Sequence, residues 1–319
     1  MKERARLILN PAAGGARAAA LAVPLAERLA PAFGPLEVAF TSGQGDGEAA
    51  ARRAVEDGCN VLFVGGGDGT LNEVLNGVAA VPGALSSVTF GVIPLGTGND
   101  FAQALGLPSS VDEAVATLLQ RHVVRVDVGQ VNGRAFINIS GGGFIAEVSE
   151  AVTPQMKTIA GRLAYLLGGA QTLLEFEPVD MTFRGGAHGE SFAAPVYAFA
   201  ACNSRLIGGG KLIAPHAIVD DGLLDFCVIE SMPALEFVAL LRRVADGDHV
   251  DDPRVRYIRA DRAVLEFARE ILVNTDGEIL KARACRYQVL PKAAAFFAGE
   301  PAFAGSSNPP VPPKPAPTA

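Results

Sequence analysis

Residues 65–70 form the segment of this chain whose composition points most directly to chemistry. They read Gly-Gly-Gly-Asp-Gly-Thr and directly follow the apolar run 61–64. Glycines let backbone N–H groups approach a phosphate closely, and the N-terminus of a following helix favours an anion. Thr70 could cap that helix or touch a phosphate, whereas Asp68 needs a mediating cation or hydroxyl group beside phosphates. The segment is neither a Walker A loop nor a GxGxxG fingerprint, because the lysine and the spacing are absent.

Two further glycine-bearing segments follow apolar runs in the same manner. Residues 93–101 read Ile-Pro-Leu-Gly-Thr-Gly-Asn-Asp-Phe, so Thr97 offers a hydroxyl group, and the Asn-Asp pair could cap a helix or reach a ligand. Residues 10–15 read Asn-Pro-Ala-Ala-Gly-Gly after the first apolar run. Ligands of parallel sheets sit at the carboxyl ends of the strands, so these loops are predicted to line one crevice.

Acidic residues late in the chain could complete such a site. Asp276 and Glu278 flank a glycine, and such a carboxylate pair can divide its work between holding Mg²⁺ and accepting a proton. A hairpin turn explains the same residues. Asp220, Asp221 and Asp225 provide the oxygen ligands that hard cations prefer, and an ordinary turn between strands explains them equally.

Alternating strand and helix patterns would position the glycine loops. Helical patterns of apolar residues separate short apolar runs in the N-terminal part, which is typical of βαβ units around a parallel sheet. The predicted strands are 6–9, 36–40, 61–64 and 88–93, and the predicted helices are 16–29, 48–57, 70–78 and 111–119.

The pattern changes near residue 124, where short apolar runs alternate with Gly, Asn and Asp turns. Such a series indicates an all-β sandwich or a partly closed sheet. The predicted strands are 124–131, 135–139, 179–183, 194–202, 223–229, 262–267 and 288–291, with helices at 161–176 and 233–245. We therefore predict an α/β domain over 1–126, a β-sandwich domain over 127–290, and a disordered proline-rich tail over 304–319.

The composition of the chain argues against some classes of binding partner. The chain has 319 residues, 49% of them hydrophobic, which suffices for more than one core. Its net charge of −7 disfavours nucleic acid binding through phosphate neutralisation. No apolar run has the length of a spanning helix, and the four cysteines lack metal-site spacing and are typical of reduced, buried thiols. We expect a cytoplasmic protein that meets any lipid transiently at the membrane surface.

Taken in order, the glycine motifs resemble those of the soluble diacylglycerol kinase and bacterial lipid kinase family, which is related to sphingosine kinases and NAD kinases. The likeness extends through nearly the whole chain, and only the proline-rich tail lies outside it. It continues in residues 138–144, 157–167, 203–215, 220–225 and 274–278.

The resemblance implies a Rossmann-like nucleotide-binding domain, a β-sandwich domain and an active site in the cleft between them. It also implies that residues 291–303 return to the first domain. The implied reaction transfers the γ-phosphate of ATP to a lipid hydroxyl, with Mg²⁺ as cofactor. Diacylglycerol is the first expectation, giving phosphatidic acid, with phosphatidylglycerol or another lipid alcohol as alternatives. The family often forms dimers, so a homodimer is expected.

The resemblance also implies roles for individual residues. Asp68 and Asp100 stand where the family's polar network approaches phosphate and metal, Glu278 stands at the proton acceptor, and Asp276 is the competing carboxylate. The residues implied to contact ATP are Asn10, Pro11, Ala12, Ala13, Gly14, Thr41, Gly65, Gly66, Gly67, Asp68, Gly69, Thr70, Leu71, Thr97, Asn99 and Asp100. A structural Mg²⁺ site is implied at Asp221 with the main chain of Ile218 and Leu223.

Two other functions remain open from the sequence. An NAD kinase would share the Gly-Gly-Asp-Gly-Thr loop and the two-domain plan, although residues 10–11 and 94–100 favour the lipid kinases. A non-catalytic lipid-binding protein on this fold is the other alternative. Asp68, Asp276 and Glu278 argue against it, because an inactive site has no physical need for clustered carboxylates.

Overall fold

The computed structural model describes residues 3–16, 18–144, 146–147, 176–186 and 189–299. The proline-rich tail and the predicted insert helix, apart from Phe176, lie outside the described residues. A sheet of 13 strands runs through both lobes of the described chain. No helix within the described ranges is long and apolar enough to cross a membrane.

The first lobe is a parallel sheet with helices packed around it. Its strands lie in the spatial order β2-β1-β3-β4, and the β3 segment is buried along its whole length, as its unbroken apolar run predicts. The strands are β1 (Ala5–Leu9), β2 (Glu37–Phe40), β3 (Val61–Gly66) and β4 (Thr89–Pro94). The helices are α1 (Ala13–Ala16), α2 (Ala18–Phe33), α3 (Asp46–Glu56), α4 (Asp68–Ala79), α5 (Asp100–Ala104) and α6 (Val111–Leu118).

The second lobe is built from antiparallel strands around two apolar clusters. Its strands are β5 (Val123–Val131), β6 (Arg134–Phe136), β7 (Ile139–Gly143), β8 (Val179–Gly185), β9 (Glu190–Cys202), β10 (Leu206–Ile207), β11 (Lys211–Leu212), β12 (Leu224–Glu230), β13 (Val255–Ala260), β14 (Arg262–Thr275) and β15 (Glu278–Phe297). Helix α7 (Ala234–Arg243) and a short 3₁₀ helix (Asp248–Asp251) lie between β12 and β13. The predicted combination of an α/β half and an all-β half is confirmed.

Strand β15 joins the two lobes. It pairs with β14 and β5 in the second lobe, and its end pairs in parallel with β4 through Ala295 and Phe296. The ring of Phe296 stacks on Phe90 of β4 with centroids 5.0 Å apart. The last described residues of the chain therefore belong to the core of the first lobe.

The single strand predicted over 135–139 is wrong. The structure breaks it into β6 and β7, because three successive N–H groups leave the strand ladder. The N–H groups of Ile137, Asn138 and Ile139 donate to the carboxylate of Asp276 instead. A buried carboxylate can satisfy several backbone donors at once, so it substitutes here for a neighbouring strand.

Strands β14 and β15 extend far beyond the runs predicted at 262–267 and 288–291. Their burial alternates along the chain, with charged residues on the exposed face of each strand. Those charged positions interrupt the apolar runs that the sequence offers, although they fit an antiparallel strand with one face in water.

Candidate active site between the lobes

Three loops of the first lobe meet at the carboxyl ends of its strands. The N–H of Asn10, after β1, donates to the carbonyl of Gly65 at 2.8 Å. The N–H groups of Leu95 and Gly96, after β4, donate to the carbonyl of Gly66 at 3.0 and 3.2 Å. A Cβ atom on Gly96 would lie 2.5 Å from the Cα of Gly67, so the two loops pack backbone against backbone.

Helix α4 begins at Asp68 with an uncapped N-terminus. Its N-cap residue is Gly67, and no side chain in the described chain caps this end. Thr70 lies inside the first turn, and its hydroxyl accepts from the amide of Asn10 at 3.2 Å, so the predicted capping role for Thr70 is wrong. The first N–H groups of a helix lack intrahelical acceptors, so this end provides backbone donors for an anion.

The carboxylate of Asp68 connects the glycine loops with the second lobe. It accepts from the N–H groups of Asp100 and Phe101, at 3.0 Å each, and thereby caps helix α5. It also accepts from the side-chain amide of Asn138 at 3.1 Å. Asn138 in turn accepts from the hydroxyl of Ser204 at 2.8 Å. Asp68 is therefore fixed in position by donors from both lobes.

The carboxylate of Asp100, a residue of the first lobe, accepts hydrogen bonds from the second lobe. It accepts from the N–H of Gly209 at 3.1 Å and from the N–H of Gly210 at 2.9 Å. Burial raises the pKa of Asp100, the glycine N–H groups act in the opposite direction, and the nearby charge of Asp68 raises it further. Its charge is thus held by the second lobe.

Asp276 lies buried in the turn between β14 and β15. Its carboxylate accepts from the N–H groups of Ile137, Asn138 and Ile139 at 2.6, 3.1 and 2.8 Å. Burial raises its pKa to about 7, although these N–H bonds act in the opposite direction, and the charge of Asp68 contributes to the rise. Asp276 therefore belongs to the same electrostatic environment as Asp68.

Glu278 is separated from Asp276 by Gly277, and its hydrogen-bond partner is a guanidinium group rather than backbone N–H groups. Both of its oxygens accept from the guanidinium of Arg134, at 2.8 and 2.6 Å. Arg134 also pairs with Glu48 of helix α3 at 2.6 Å. The side chain of Glu278 is 23% exposed, so it is only partly buried. The described hydrogen bonds do not connect Glu278 with Asp68.

The other residues predicted to contact ATP surround the loops in different ways. Thr41 is buried, and its N–H donates to Leu9 at the end of β1. Thr97 is exposed, whereas the side chain of Asn99 bonds both the N–H and the carbonyl of Gly96. Along the first loop and helix α4, Pro11 and Ala13 are half-buried, Ala12, Gly14 and Gly69 are exposed, and Leu71 is buried.

Several site residues were not predicted from the sequence. Asn138 contacts Asp68, Arg134 holds Glu278, and Gly209 and Gly210 hold Asp100. The runs of three glycines at 141–143 and 208–210 were available signals, because repeated glycines indicate close backbone approach. The family resemblance includes the Asn138 segment but implies no role for Asn138.

The predicted structural Mg²⁺ site lies in the loop before β12. Asp221 accepts from the N–H of Leu223 at 3.0 Å and pairs with Arg259, while Ile218 is exposed. Burial raises the pKa of Asp127 beside this loop, and the charges of Asp221 and Asp220 raise it further. No group of three or more His, Cys, Asp or Glu side chains in the described ranges is arranged to hold a metal. A cation there would need main-chain oxygens as well, which is the donor set that the family resemblance implies.

Comparison with known proteins agrees with this architecture. The model of the diacylglycerol kinase catalytic domain matches residues 4–131, and that of the YegS C-terminal NAD kinase beta sandwich-like domain matches residues 139–298. A diacylglycerol kinase of Bacillus subtilis is 32% identical over 277 residues, which cover 86% of this chain and 90% of that protein. The chain belongs to the diacylglycerol kinase family. A Staphylococcus carnosus diacylglycerol kinase is also 32% identical, over 87% of this chain and 89% of that protein.

Solved structures show the same fold as this member of the diacylglycerol kinase family. A Bacillus anthracis structure that carries a provisional diacylglycerol kinase name has a TM-score of 0.79 at 27% identity, covering 94% of this chain and 97% of that one. A second Bacillus anthracis structure, named as a diacylglycerol kinase, has a TM-score of 0.72 at 24% identity and supports the fold alone. Together these likenesses support a kinase.

Proposed function

We propose that this protein is an ATP-dependent lipid kinase that transfers the γ-phosphate of ATP to a lipid hydroxyl, with diacylglycerol as the preferred acceptor. One observation carries the proposal: the carboxylate of Asp68 stands at the uncapped start of α4 and is fixed by donors from both lobes. Phosphoryl transfer depends on positioning and electrostatic stabilisation, so a rigid carboxylate beside backbone phosphate donors fits that reaction. The names of the relatives support the lipid acceptor.

The glycine loops would bind the triphosphate through backbone donors. The N-terminus of α4 offers free N–H groups, and the close packing of Gly67 on Gly96 leaves no side chain between the two loops. Apart from Thr41, which follows β2, the residues proposed to contact ATP belong to these loops and to the first turns of the helices after them. Asp68 is the carboxylate that fits Mg²⁺, because it is half-buried at these loops and its Oδ2 accepts one hydrogen bond, from the N–H of Asp100, within the described structure. Magnesium bound there would neutralise charge that develops on the phosphates.

Glu278 is the proton acceptor in this proposal, and Asp276 holds the turn that carries it. A general base must be within reach of the substrate hydroxyl, and the side chain of Glu278 is 23% exposed. Asp276 is buried, and its two oxygens already accept three backbone N–H groups. The bidentate contact from Arg134 fixes the orientation of Glu278.

The loop before β12 fits a structural magnesium ion. Asp221 and the carbonyl oxygens of Ile218 and Leu223 are hard donors. Burial raises the pKa of Asp127 beside them, and repulsion by the charges of Asp221 and Asp220 raises it further. A bound cation would relieve that repulsion and order the loop.

We also propose that the protein meets its lipid transiently at the cytoplasmic membrane surface and acts as a homodimer. The family likeness supports both statements. Co-sedimentation with anionic lipid vesicles and light scattering of the purified protein test them, and a monomer that ignores vesicles at all ionic strengths would contradict them.

A direct transfer assay tests the function. Purified protein receives labelled ATP and Mg²⁺ with mixed micelles of diacylglycerol, phosphatidylglycerol, sphingosine or undecaprenol, and with NAD in a parallel reaction. We expect label in phosphatidic acid and none after Asp68→Asn, since that variant keeps the size of the side chain but loses its charge. Asp112→Asn, on the exposed face of α6, is the matched control and should retain turnover.

NAD kinase activity is the second candidate, because the model matching the second lobe is described as NAD kinase beta sandwich-like. Label that appears only in NADP would establish this candidate and reject the lipid kinase. Binding of ATP without transfer to any acceptor would instead indicate a non-catalytic protein on the same fold.

A further inference from the structure

The tip of the β10–β11 hairpin consists of three consecutive glycines with positive φ. Gly208, Gly209 and Gly210 have φ values of 60°, 84° and 97°. A Cβ atom on any of them would meet nothing within 4 Å, so their backbone conformation, rather than crowding, requires glycine. Successive N–H groups in such a turn point into one concavity, which favours an anion.

The anion in this concavity is the carboxylate of Asp100. One oxygen accepts from Gly209 at 3.1 Å and from Gly210 at 2.9 Å, and the other accepts from Gly209 at 3.1 Å. Asp100 is only 6% exposed, so these are charge-assisted bonds in a largely dry setting. Both oxygens are therefore directed at the second lobe.

Asp100 itself is fixed from the first lobe. It is the first residue of α5, and its N–H donates to Asp68 at 3.0 Å. The contacts thus form a continuous path from the glycine loop after β3, the proposed phosphate-binding loop, through Asp68 and α5 to the glycine tip. A displacement of the 208–210 tip would therefore also displace the carboxylate of Asp68, which the proposed reaction needs.

The base of the hairpin is anchored within the second lobe. The ring of buried His249 contacts the carbonyl of Ile213 at 3.0 Å, just after β11. The guanidinium of Arg205, just before β10, donates to the carbonyl of Ala217 at 2.8 Å. Because these hydrogen bonds fix the ends of the hairpin to the second lobe, we expect the tip to move together with that lobe.

We infer that Asp100 is a positioning residue, not a nucleotide ligand: its carboxylate clasps the 208–210 tip and so sets how the second lobe stands over the phosphate loops. The kinetic consequence rests on the proposed kinase function, whereas the clasp itself does not. Loss of the clasp should slow transfer without weakening ATP binding, because no ATP contact is removed.

Two substitutions approach the clasp from opposite sides. Asp100→Asn removes the charge, and Gly209→Ala strains the tip, where φ is 84°. Gly83→Ala is the matched control, because Gly83 also has positive φ (77°) and open space but lies in a distant turn. The first readout is amide hydrogen exchange of residues 206–212 in the full chain without any substrate. The second is kcat together with the Kd for ATP.

We expect exchange at the tip to become about tenfold to a hundredfold faster in both clasp variants, as the loss of a hydrogen bond to a charged group implies. We expect kcat to fall by a similar factor with the Kd for ATP unchanged, and Gly83→Ala to match the wild type in both readouts. Unchanged hydrogen exchange at the tip in both variants would reject the proposed contact between Asp100 and the 208–210 tip. This readout needs no substrate, so it is independent of whether the protein phosphorylates a lipid. A weaker ATP Kd with intact kcat in Asp100→Asn would overturn the positioning role in favour of a nucleotide ligand.

Discussion

At the scale of residues, neutral donors hold three of the four site carboxylates, and the guanidinium of Arg134 holds the fourth, Glu278. Asp68, Asp100 and Asp276 accept mainly from backbone N–H groups, with the amide of Asn138 as an addition. Burial raises the pKa of both Asp100 and Asp276, and the charge of Asp68 raises each of them further. Such an arrangement keeps negative charge concentrated in the cleft, where it attracts a divalent cation.

The division of labour between Glu278 and Asp276 gives a prediction at this scale. Glu278→Gln should lower kcat by about a hundredfold to ten-thousandfold, the usual contribution of a positioned general base. The melting temperature should change little, because the lost ion pair with Arg134 is partly exposed. Steady-state kinetics over a range of pH and thermal unfolding are the measurements.

Asp276→Asn serves as the comparison for that prediction. Its folded-state pKa is raised to about 7, so a base at this position would give kcat an acid limb with its midpoint near that pH. An acid limb near pH 7 that disappears only in Asp276→Asn, with turnover retained in Glu278→Gln, would exchange the two roles.

At the scale of elements, the loop from Ile218 to Leu223 holds more negative charge than its single guanidinium partner compensates. Asp221 pairs with Arg259, while burial and neighbouring carboxylates raise the pKa of Asp127. The loop also reaches β15, because Asp127 accepts from the N–H groups of Gly222 and Lys292, both at 2.6 Å. An ordered loop would therefore stabilise the connection between the lobes.

Mg²⁺ should accordingly raise the melting temperature of the protein without nucleotide. A cation at a hundredfold excess over its Kd stabilises the folded state by about 2.7 kcal/mol. Asp221→Asn should lose this effect in differential scanning calorimetry, whereas Asp68→Asn should keep it, since Asp68 lies at the phosphate loop. The same Mg²⁺-induced shift in Asp221→Asn as in the wild type would exclude this loop as the site.

At the scale of the whole molecule, buried carboxylates place a cost on the fold. Asp225 of β12 is 0% exposed, and the hydroxyl of Tyr257 beside its carboxylate makes no hydrogen bond of good geometry with either oxygen. Among the described residues, Asp225 forms an ion pair with Arg259, whose Nε lies 3.6 Å from its Oδ1. Burial raises the pKa of Asp225 to about 6, so the folded protein holds this proton where the unfolded chain has released it.

The sign of the resulting pH dependence is definite. Because the folded-state pKa is the higher one, wild-type stability falls as the pH rises towards about 6, and the full cost remains above that value. Asp225→Asn should therefore stabilise the protein by about 3 kcal/mol near pH 8, and by less near pH 5. Thermal unfolding at both pH values measures this. Equal stabilisation at both, or destabilisation near pH 8, would show that Asp225 is effectively paired.

The sequence by itself determined the elements and the loops of the first lobe. Apolar runs followed by glycine-bearing segments give strands β1, β3 and β4 with their loops, because burial and turn formation depend on neighbouring residues. It also determined the family and the two kinds of lobe. The prediction of one strand over 135–139 is wrong because the N–H groups of residues 137–139 donate to Asp276, about 140 residues away along the chain. The local apolar pattern contains no information about that contact.

Only the tertiary structure decided the partners of the site carboxylates. The bond between Asn138 and Asp68 spans 70 residues of sequence, that between Gly209 and Asp100 spans 109, and that between Arg134 and Glu278 spans 144. The first two depend on how the second lobe stands against the first, and the third depends on how β6 and the start of β15 come together within the second lobe. Periodicity and turn chemistry describe neighbours along the chain, so they leave that arrangement undetermined. The residue types in the cleft could thus be read from the sequence, whereas the donor that holds each charge could not.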